Sequence, residues 1–464
     1  MPLHDLAFYC ACAFLVGIFL SSISSLLGIV LILVTLGLIF FWRRFGARVA
    51  IIILALFIFG YGYVFMFGAL HKEKLVLDTP LEFSGIVLEP TLQKAKSQQI
   101  SVSLLAPYRG DIIIYADSYP EFSYGDLLTV SGIIQQSSSG NFYFMSFPKV
   151  KLIKTGQGSQ IKQFLFAFKD KFTNSFRPLL PAEESALLEG LLTGDTADFS
   201  PAFKEAIRQS GMSHIVALSG YNISIIGIAL SFLLGYFLTP QKAFYFSVTA
   251  IILFVVMTGA SASAVRAAVM GIILLIAKRT GRLYNFRNSI VITAALMALF
   301  DPQVLAYDIG FELSFGALIG IIYIMPILEK LFRVDTVGFL SWKANALATL
   351  SSQIIVLPLL LYYFQQFNLF SIIANILILE AIPLTMLLGF FLGLVGFFSG
   401  TLGALVALPV SFLLKYQIFV INFFSHAPIF SSVISAGMVF VYFGLLIWFI
   451  FAITYKKKVF NQTS

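Results

Sequence analysis

Long apolar runs recur along this chain, and they constrain its fold more than any other feature of the sequence. A run of about 20 apolar residues is long enough to cross a lipid bilayer as a helix. Such runs occupy most of the chain, with one long polar interruption over residues 71–210. Hydrophobic residues make up 59% of the chain and charged residues 11%, whereas soluble domains carry roughly 25% charged residues. The sequence therefore predicts a polytopic α-helical membrane protein.

We expect about 10–12 membrane spans. The candidate spans lie at 6–22, 23–42, 49–70, 212–238, 243–260, 262–278, 288–300, 311–328, 342–362, 370–396, 402–424 and 433–455. Cytoplasmic loops collect Lys and Arg, and the basic clusters that orient the spans are Arg43, Arg44 and Arg48, then Lys278, Arg279, Arg282 and Arg287, then Lys330 and Arg333, and finally Lys456, Lys457 and Lys458. When successive loops are assigned alternately to the cytoplasm and to the outside, counting from the first loop, every basic cluster lies in the cytoplasm. This orientation predicts a multi-pass protein of the plasma (inner) membrane whose segment 71–210 lies outside the cytoplasm.

The first part of the polar segment predicts a small extracytoplasmic β domain. Five runs rich in β-branched and aromatic residues are separated by turn residues, and they lie at 81–90, 98–107, 110–118, 126–136 and 141–147. Five short strands are consistent with a small barrel of the oligonucleotide-binding (OB) type. Other hairpin repeats fit the same spacing, so both alternatives stay open.

The second part of the polar segment contains an amphipathic helix at 160–178, expected to lie in the membrane interface. Its apolar residues recur at helical spacing and are Ile161, Phe164, Leu165, Phe168, Phe172 and Phe176, with Lys162, Lys169, Lys171 and Arg177 between them. Short helices are expected at 182–193 and 201–210. The predicted domains are N-terminal transmembrane helices (1–72), an OB-like β domain (73–156), an interfacial region (157–210), a transmembrane channel domain (211–455) and a basic cytoplasmic tail (456–464).

Residues 211–222 interrupt an apolar run with polar and small residues. His214 lies at the start of the run, and a Ser219-Gly220 step and Asn222 follow it. Polar groups at bilayer depth are costly and by default mark a pathway or a site. A break at small residues frees backbone groups that only a protein-lined or hydrated cavity satisfies.

The conspicuous polar residues within the predicted spans form the candidate pathway. They are His214, Ser219, Gly220, Asn222, Ser263, Arg266, Glu312, Ser314, Gln353 and Asn375. At helical spacing His214 and Asn222 share one face. An arginine in mid-span needs a carboxylate or an anion as partner, so Arg266 is expected either to form a buried ion pair with Glu312 or to meet a passing anion. Structural alternatives also stay open for His214, as a helix-packing residue, and for Gln353 and Asn375, as interhelical hydrogen-bond partners.

Several ordered blocks of the sequence resemble the ComEC family of competence DNA-uptake channels. The run GMSHIVALSGYNISII at 211–226 resembles the family signature, in which a His-Leu-Leu-Ala-Ile-Ser-Gly-Leu-His pattern recurs. The further blocks that resemble the family are Leu192 to Asp195, SASAVRAAVM at 261–270, DIGFELSFGALIGI at 308–321, SSQIIVLPLLLYYFQQFNLFSIIANIL at 351–377, and YGDLLTVSGII at 124–134.

The resemblance implies passage of single-stranded DNA across the membrane during natural transformation, with the outer barrel receiving the strand. Single strands bind aromatic side chains flanked by cations. The candidate DNA-binding residues are Lys94, Lys96, Tyr108, Arg109, Tyr143, Phe144, Lys149, Lys151 and Lys154. Six Lys and Arg face seven Asp and Glu between residues 78 and 156. A DNA groove would therefore require local clustering of the cations, and a solvated barrel surface is the alternative.

Two features depart from the family pattern. Asn222 stands where the family has a second histidine, and an amide does not titrate near neutral pH. Many family members also carry a C-terminal metallo-β-lactamase-like nuclease domain, which this chain is expected to lack, since it has four histidines and no His-x-His-x-Asp run.

The sequence thus predicts a channel without catalysis of its own, without a cofactor and without a metal site. Its expected partners are single-stranded DNA and membrane lipid, together with a separate DNA receptor, helicase-like motor and nuclease. Two other functions stay open: secondary transport of a small anionic or polar solute through a site at Arg266, and a structural role as an envelope scaffold.

Overall fold

The computed structural model describes residues 3–22, 37, 43, 46–70, 75, 77–93, 97–137, 142–216, 222–223, 225–227, 235–280, 285–332, 342–446 and 448. The chain divides into two compact units. Unit one consists of Met1–Phe199, Val216–Phe311 and Leu388–Val410. Unit two consists of Ser200–Ile215, Glu312–Leu387 and Ser411–Ser464.

Unit one contains an eight-stranded β sheet. Its strands are β1 (Pro80–Val87), β2 (Leu92–Gln93), β3 (Gln98–Leu104), β4 (Asp111–Ala116), β5 (Leu127–Ile133), β6 (Gln135–Gln136), β7 (Tyr143–Ser146) and β8 (Lys149–Lys154). Hydrogen bonds connect them in the order β6-β7-β4-β3-β1-β5-β8, with β2 paired to β3. All pairs are antiparallel except β4 and β7, which run parallel.

Alternation of buried and outward-facing side chains builds the core of this sheet. In β3 every second side chain is buried, because successive side chains of a strand point to opposite faces. The buried residues form one apolar cluster: Phe83, Val87, Ile100, Val102, Leu104, Ile112, Ile114, Ala116, Phe122, Leu128, Val130, Ile134 and Met145. The predicted β domain is therefore confirmed, with β8 as a strand that the sequence pattern did not indicate.

The OB-type barrel is not confirmed. In the connection order of the described strands, β6 and β8 end the sheet and do not pair with each other. The structure thus establishes a β-sheet domain with one apolar core, and closure into a barrel stays a prediction.

The described helices of unit one begin with α1 (Leu3–Ser22) and α2 (Ala47–Leu70), which pack against each other. After the sheet come α3 (Gln160–Phe176), a 3₁₀ turn (Arg177–Leu179) and α4 (Ala182–Thr193). The further helices are α7 (Pro240–Met257), α8 (Ala262–Thr280), α9 (Phe286–Phe300) and α10 (Val304–Tyr307). The amphipathic helix predicted at 160–178 is confirmed as α3, which buries Leu165, Phe172 and Phe176 and leaves Ile161 and Phe164 exposed.

Unit two begins with α5 (Pro201–Gln209) and the short helix α6 (Ser213–Val216). Ser200 caps α5, since its hydroxyl accepts a hydrogen bond from the Phe203 N–H at 3.1 Å. The later helices are α11 (Ile309–Ile319), a π-helical turn (Gly320–Ile324), α12 (Met325–Phe332), α13 (Trp342–Phe364), α14 (Ser371–Leu379), α15 (Ile382–Phe398), α16 (Gly400–Ser425) and α17 (Ala436–Leu446). Two short strands, β9 (Gln366–Asn368) and β10 (Ile429–Ser431), pair antiparallel. Some of these helices cross the boundary between the two units.

Six helices in the described part of the chain are long and apolar enough to cross a membrane, which makes this a polytopic membrane protein. They are His4–Ser22, Ala47–Leu70, Pro240–Met257, Ile309–Phe332, Lys343–Phe364 and Gly400–Ser425. The pair α14 and α15 adds a seventh span if it is counted as one, with a bend of 48°. Shorter apolar helices lie at Ala262–Ala277, Phe286–Phe300 and Ala436–Leu446. The predicted span at 23–42, apart from residue 37, and about half of the one at 212–238 lie outside the described residues.

Candidate functional site

His214 is part of a hydrogen-bonded chain that joins three helices of unit two. The Nε2 atom of His214 on α6 lies 3.3 Å from the Oδ1 atom of Asn375 on α14. The Asn375 side-chain N–H donates to the Thr349 hydroxyl on α13 at 2.8 Å. The Nδ1 atom of His214 lies 3.1 Å from the Gly211 carbonyl oxygen. Two residues expected in the pathway, His214 and Asn375, are therefore neighbours, and Thr349 is a member of the site that sequence reasoning missed.

The contacts of this site define two hydrogen-bonding arrangements. Both ring nitrogens of His214 face oxygen atoms, so both carry a proton if the Asn375 amide is oriented as placed. If the amide is rotated, Asn375 donates to a neutral His214 and accepts from Thr349, because amide orientation is assigned from the network. Asn375 and Thr349 are buried, whereas the His214 side chain is exposed. The site can therefore hold either a charged or a neutral His214 while its inner end stays fixed.

Close packing positions His214 against α14. Gly211 has a φ angle of +76°, and a Cβ atom there would lie 2.6 Å from the Cβ atom of Ser371. Any side chain at Gly211 would meet both a backbone penalty and a clash, so the turn before His214 requires glycine.

A buried amide fixes the end of α5. The side-chain N–H groups of Asn368, which follows α13, donate to the Gln209 carbonyl oxygen at 2.8 Å and to the Phe424 carbonyl oxygen at 3.1 Å. Arg208 also forms a side-chain hydrogen bond with Gln366. The segment leading to His214 is thus attached to residues 366–375 at several points.

Asn222 has a packing contact in unit one. Its side chain is buried and donates to the Leu191 carbonyl oxygen at 3.3 Å. Leu191 lies directly before the block Leu192 to Asp195. The face that Asn222 was expected to share with His214 runs through residues 217–221, which include Ser219 and Gly220 and lie outside the described residues.

Arg266 is buried on α8, with only 8% of its surface exposed. Its neighbours Ala264, Ala267 and Ala268 belong to an apolar cluster with residues of α7. The Ser263 hydroxyl lies 3.4 Å from the Ser261 hydroxyl at the start of the same helix. A buried guanidinium is costly, so its retention in an apolar helix marks the position as a candidate site.

Glu312 accepts a hydrogen bond from the Tyr363 hydroxyl at 2.8 Å, which links α11 to α13. Its predicted ion pair with Arg266 stays a prediction. Ser314 on α11 is half-buried. On α13, the Gln353 Oε1 atom is buried and has no hydrogen-bond partner within the described part of the chain.

A cluster of ion pairs that sequence reasoning missed holds α3 against the end of α4 in unit one. The Lys169 ammonium lies 3.0 Å from the Asp195 carboxylate. Arg177 contacts Glu189 at 2.8 Å and Asp198 at 2.7 Å. In the sequence, the only indication of this cluster was the block that ends at Asp195. The acidic partners of both cations lie outside α3, so helical spacing does not reveal the ion pairs.

The protonation of this cluster follows from burial and charge. Burial raises the pKa of the Glu189 carboxyl above its ordinary range, although Arg177 opposes the shift. At Asp195 burial acts in the same direction, but the charge of Lys169 and the Ala197 N–H outweigh it and lower the pKa. Asp195 therefore stays ionised at mildly acidic pH and keeps its ion pair.

Seven of the predicted DNA-binding residues of the β domain fall into three groups. Lys149, Lys151 and Lys154 are exposed on β8. Tyr108 packs against the core, edge-to-face on Phe83 at 6.4 Å, and the Arg109 guanidinium donates to the Leu70 carbonyl oxygen at 3.1 Å. Lys94 and Lys96 lie outside the described residues.

Aromatic residues of β7 and its neighbours lie on both sides of the sheet. Tyr143 packs against the core. Phe144 points away from it and contacts Tyr115, with ring centres 6.4 Å apart, and Phe142, at 6.2 Å. Aromatic rings and lysines are therefore both present on the outer surface of this domain.

Comparison with known proteins gives a family and one relative. Residues 191–459, more than half of the chain, match the family model described as Competence protein. Over 213 residues, 44% of the chain, the sequence is 30% identical to ComE operon protein 3 of Bacillus subtilis (strain 168). The match covers 25% of that relative's length. No solved structure matches the chain significantly.

Proposed function

Because the chain belongs to the Competence protein family, we propose that it is a plasma (inner) membrane channel through which single-stranded DNA enters the cell during natural transformation. The observation that carries the proposal is the joining, in one chain, of competence-family helices to a β domain whose outer surface has both lysines and aromatic rings. Cations neutralise phosphates and aromatic rings stack on unpaired bases.

The β domain is proposed to receive the strand as a small OB-type barrel. Residues 127–133 pair with β1, and residues 135–136, one residue further along, pair with β7. A segment that is interrupted only at residue 134 thus pairs with β1 near one end of the strand order and with β7 near the other end. The pairing of β4 with β7 places β7 between β4 and β6, and this strand order supports the proposal of an OB-type barrel.

His214 is proposed as a gate at the mouth of the pore. Its ring is exposed on one side and is fixed on the other by Asn375 and Gly211. When a passing phosphate displaces Asn375, the Nε2–H of His214 donates to the phosphate instead. Arg266, buried in an apolar helix, is proposed as a cation on the path, since intramembrane charges usually serve a pathway.

The remaining parts of the uptake machinery are proposed to be separate proteins. They are a DNA receptor, a helicase-like motor and a nuclease, so the chain itself supplies passage and no catalysis. The β domain is proposed to lie outside the cytoplasm, in agreement with the distribution of basic residues.

The test is transformation of a naturally competent host from which the chain is deleted and then restored as wild type or as a variant. We expect His214→Ala and Arg266→Ala each to lower transformation frequency at least about 100-fold, the loss that one or two strong contacts of a path would produce. The controls are His426→Ala, an exposed histidine outside the candidate site, and Arg279→Ala, an exposed arginine of the same helix as Arg266. Immunoblots of membrane fractions measure accumulation of each variant.

Normal transformation without the chain would reject the proposal. If the two site variants fail to accumulate, the residues serve packing. If DNA binding is absent but a small anion accumulates in proteoliposomes in an Arg266-dependent manner, the chain is a solute transporter instead.

A further inference from the structure

A groove lies on the outer surface of the β domain where β5 and β6 pass the junction of β7 and β8. The groove is open to solvent and has a volume of about 440 Å³. Its lining residues are Ser131, Gly132, Ile133, Gln135, Ser146, Phe147, Pro148 and Lys149. Only Lys149 among them was expected from the sequence to bind DNA. The volume is within the range of about 300–1,000 Å³ that is typical of sites for small ligands.

Phe147 forms an exposed aromatic wall of this groove. The residue is 61% exposed and has a φ angle of +48°, a conformation that is strained for a residue with a side chain. Its backbone N–H donates to the Tyr115 carbonyl oxygen at 2.7 Å, and Pro148 follows directly. The backbone is thus fixed in an unfavourable conformation that leaves a large apolar ring in solvent. Strain of this kind occurs often at ligand sites.

The floor of the groove is closely packed. A Cβ atom at Gly132 would lie 2.8 Å from the Met145 Cε atom and 2.9 Å from the Pro148 Cβ atom. Beside it, Ile133 is 43% exposed. The groove is therefore an open depression with both polar and apolar lining residues, over a floor that leaves no room for a side chain at position 132.

Positive charge borders the groove. Val150 packs against the core, so its neighbours Lys149 and Lys151 point outward, and both are exposed. Neither lysine forms an ion pair with another residue in the described ranges. Glu82 is an acidic residue two strands away, since it is paired in register with Ser131, which is paired with Lys149.

We propose that this groove, called the Phe147 groove, is a subsite for one unpaired nucleobase, which stacks on the Phe147 ring while an adjacent phosphate contacts Lys149. The inference rests on the proposed function, since it takes single-stranded DNA as the ligand. An aromatic ring beside cations favours a nucleic acid over an apolar peptide, which has no use for Lys149 or Lys151. Ser131, Gln135 and Ser146 supply hydrogen-bonding groups that suit any base.

The test measures binding of fluorescent oligomers to the full chain in nanodiscs. Two probes of equal length are compared, an oligothymidylate and an abasic oligomer that has the phosphates without the bases. We expect Phe147→Ala to weaken oligothymidylate binding about 5- to 100-fold and to leave abasic binding unchanged. Phe147→Trp, which retains a stacking surface, keeps the affinity.

Lys149→Gln is expected to weaken binding of both probes and to reduce the slope of log affinity against log salt by about one. Leu152→Ala is the apolar control, since Leu152 is 49% exposed on β8 outside the groove. Lys204→Gln, an exposed lysine on α5, is the charge control. Neither control changes the affinity.

The outcomes distinguish a failure of the proposed groove from a failure of the proposed channel function. Wild-type protein that binds neither probe at low salt overturns the proposed function and the groove together. Wild-type binding that Phe147→Ala leaves unchanged, or lowers equally for both probes, overturns the groove alone. Binding that depends on Phe147 but neither on Lys149 nor on salt shows that no phosphate contacts Lys149 and also overturns the groove.

Discussion

Single buried amides hold the segment that carries His214. Asn368 makes three hydrogen bonds, two to carbonyl oxygens and one from the Phe370 N–H at 2.9 Å. Asn375 connects His214 to Thr349. A buried polar group without its partner loses the full free energy of its hydration. The position of His214 therefore depends on a few residues that never touch a ligand.

Replacement of Asn368 tests this dependence. We expect Asn368→Ala to lower the free energy of unfolding by about 2–3 kcal/mol, because it leaves the carbonyl oxygens of Gln209 and Phe424 without that donor. Denaturant unfolding in detergent micelles measures the change. The control Asn345→Ala removes an exposed hydrogen bond to Glu380 and should stay within about 0.5 kcal/mol. Equal effects of the two variants would refute the assigned role of Asn368.

At the scale of elements, α3 is held by charge on one face and by apolar packing on the other. Lys169 is mostly buried and reaches Asp195, which follows α4. Phe172 packs against Phe390 and Phe397, with ring centres 5.8 and 6.2 Å away. Ile161 and Phe164 stay exposed at the start of the helix, as expected of a helix that rests in a membrane interface.

The ion pair between Lys169 and Asp195 gives a pH-dependent prediction. The pKa of Asp195 in the folded protein is below its ordinary value of 3.8, so its contribution to stability is present above pH 3.8 and is lost as pH falls through the lowered pKa. We expect Asp195→Asn to lower the free energy of unfolding by about 1–3 kcal/mol at neutral pH. The difference from wild type should disappear in strong acid.

Unfolding of the variants as a function of pH measures this effect. Lys169→Ala should give a loss similar to that of Asp195→Asn, and the double variant should lose less than the sum. Lys162→Ala, on an exposed position of the same helix, is the control and should change stability little. Additive losses in the double variant would show that the two residues act independently.

At the scale of the whole molecule, the basic clusters predict which surfaces face the cytoplasm. After replacement of Cys10 and Cys12 by Ala, we expect Thr155→Cys in the β domain to react with a membrane-impermeant maleimide on spheroplasts. Leu331→Cys, which is 70% exposed on α12, should react only after lysis. The physical reason is that cytoplasmic loops retain Lys and Arg. Labelling of Leu331→Cys in intact spheroplasts would show that the assigned orientation is wrong.

Local patterns in the sequence predicted many of the helices and strands without any information on tertiary structure. Spans of about 20 apolar residues predicted α1, α2, α7, α13 and α16, because the bilayer sets their length. Runs rich in β-branched and aromatic residues between turn residues predicted β3, β4 and β5, and the fold buries every second side chain of β3 and β4. β8 was missed, since its lysines and exposed apolar residues give it a mixed pattern that only its pairing with β5 explains.

The sequence by itself thus determined a membrane protein with apolar helices, a β domain and an amphipathic helix, and its ordered blocks indicated the family. Only the tertiary structure decided which polar groups meet. It pairs His214 with Asn375, 161 residues away, and Lys169 with Asp195, 26 residues away. Periodicity reports burial along one element, whereas a hydrogen bond of 3 Å depends on how distant elements are placed. Phe147 likewise became a candidate only when the fold set its exposed ring beside Ile133 and Lys149.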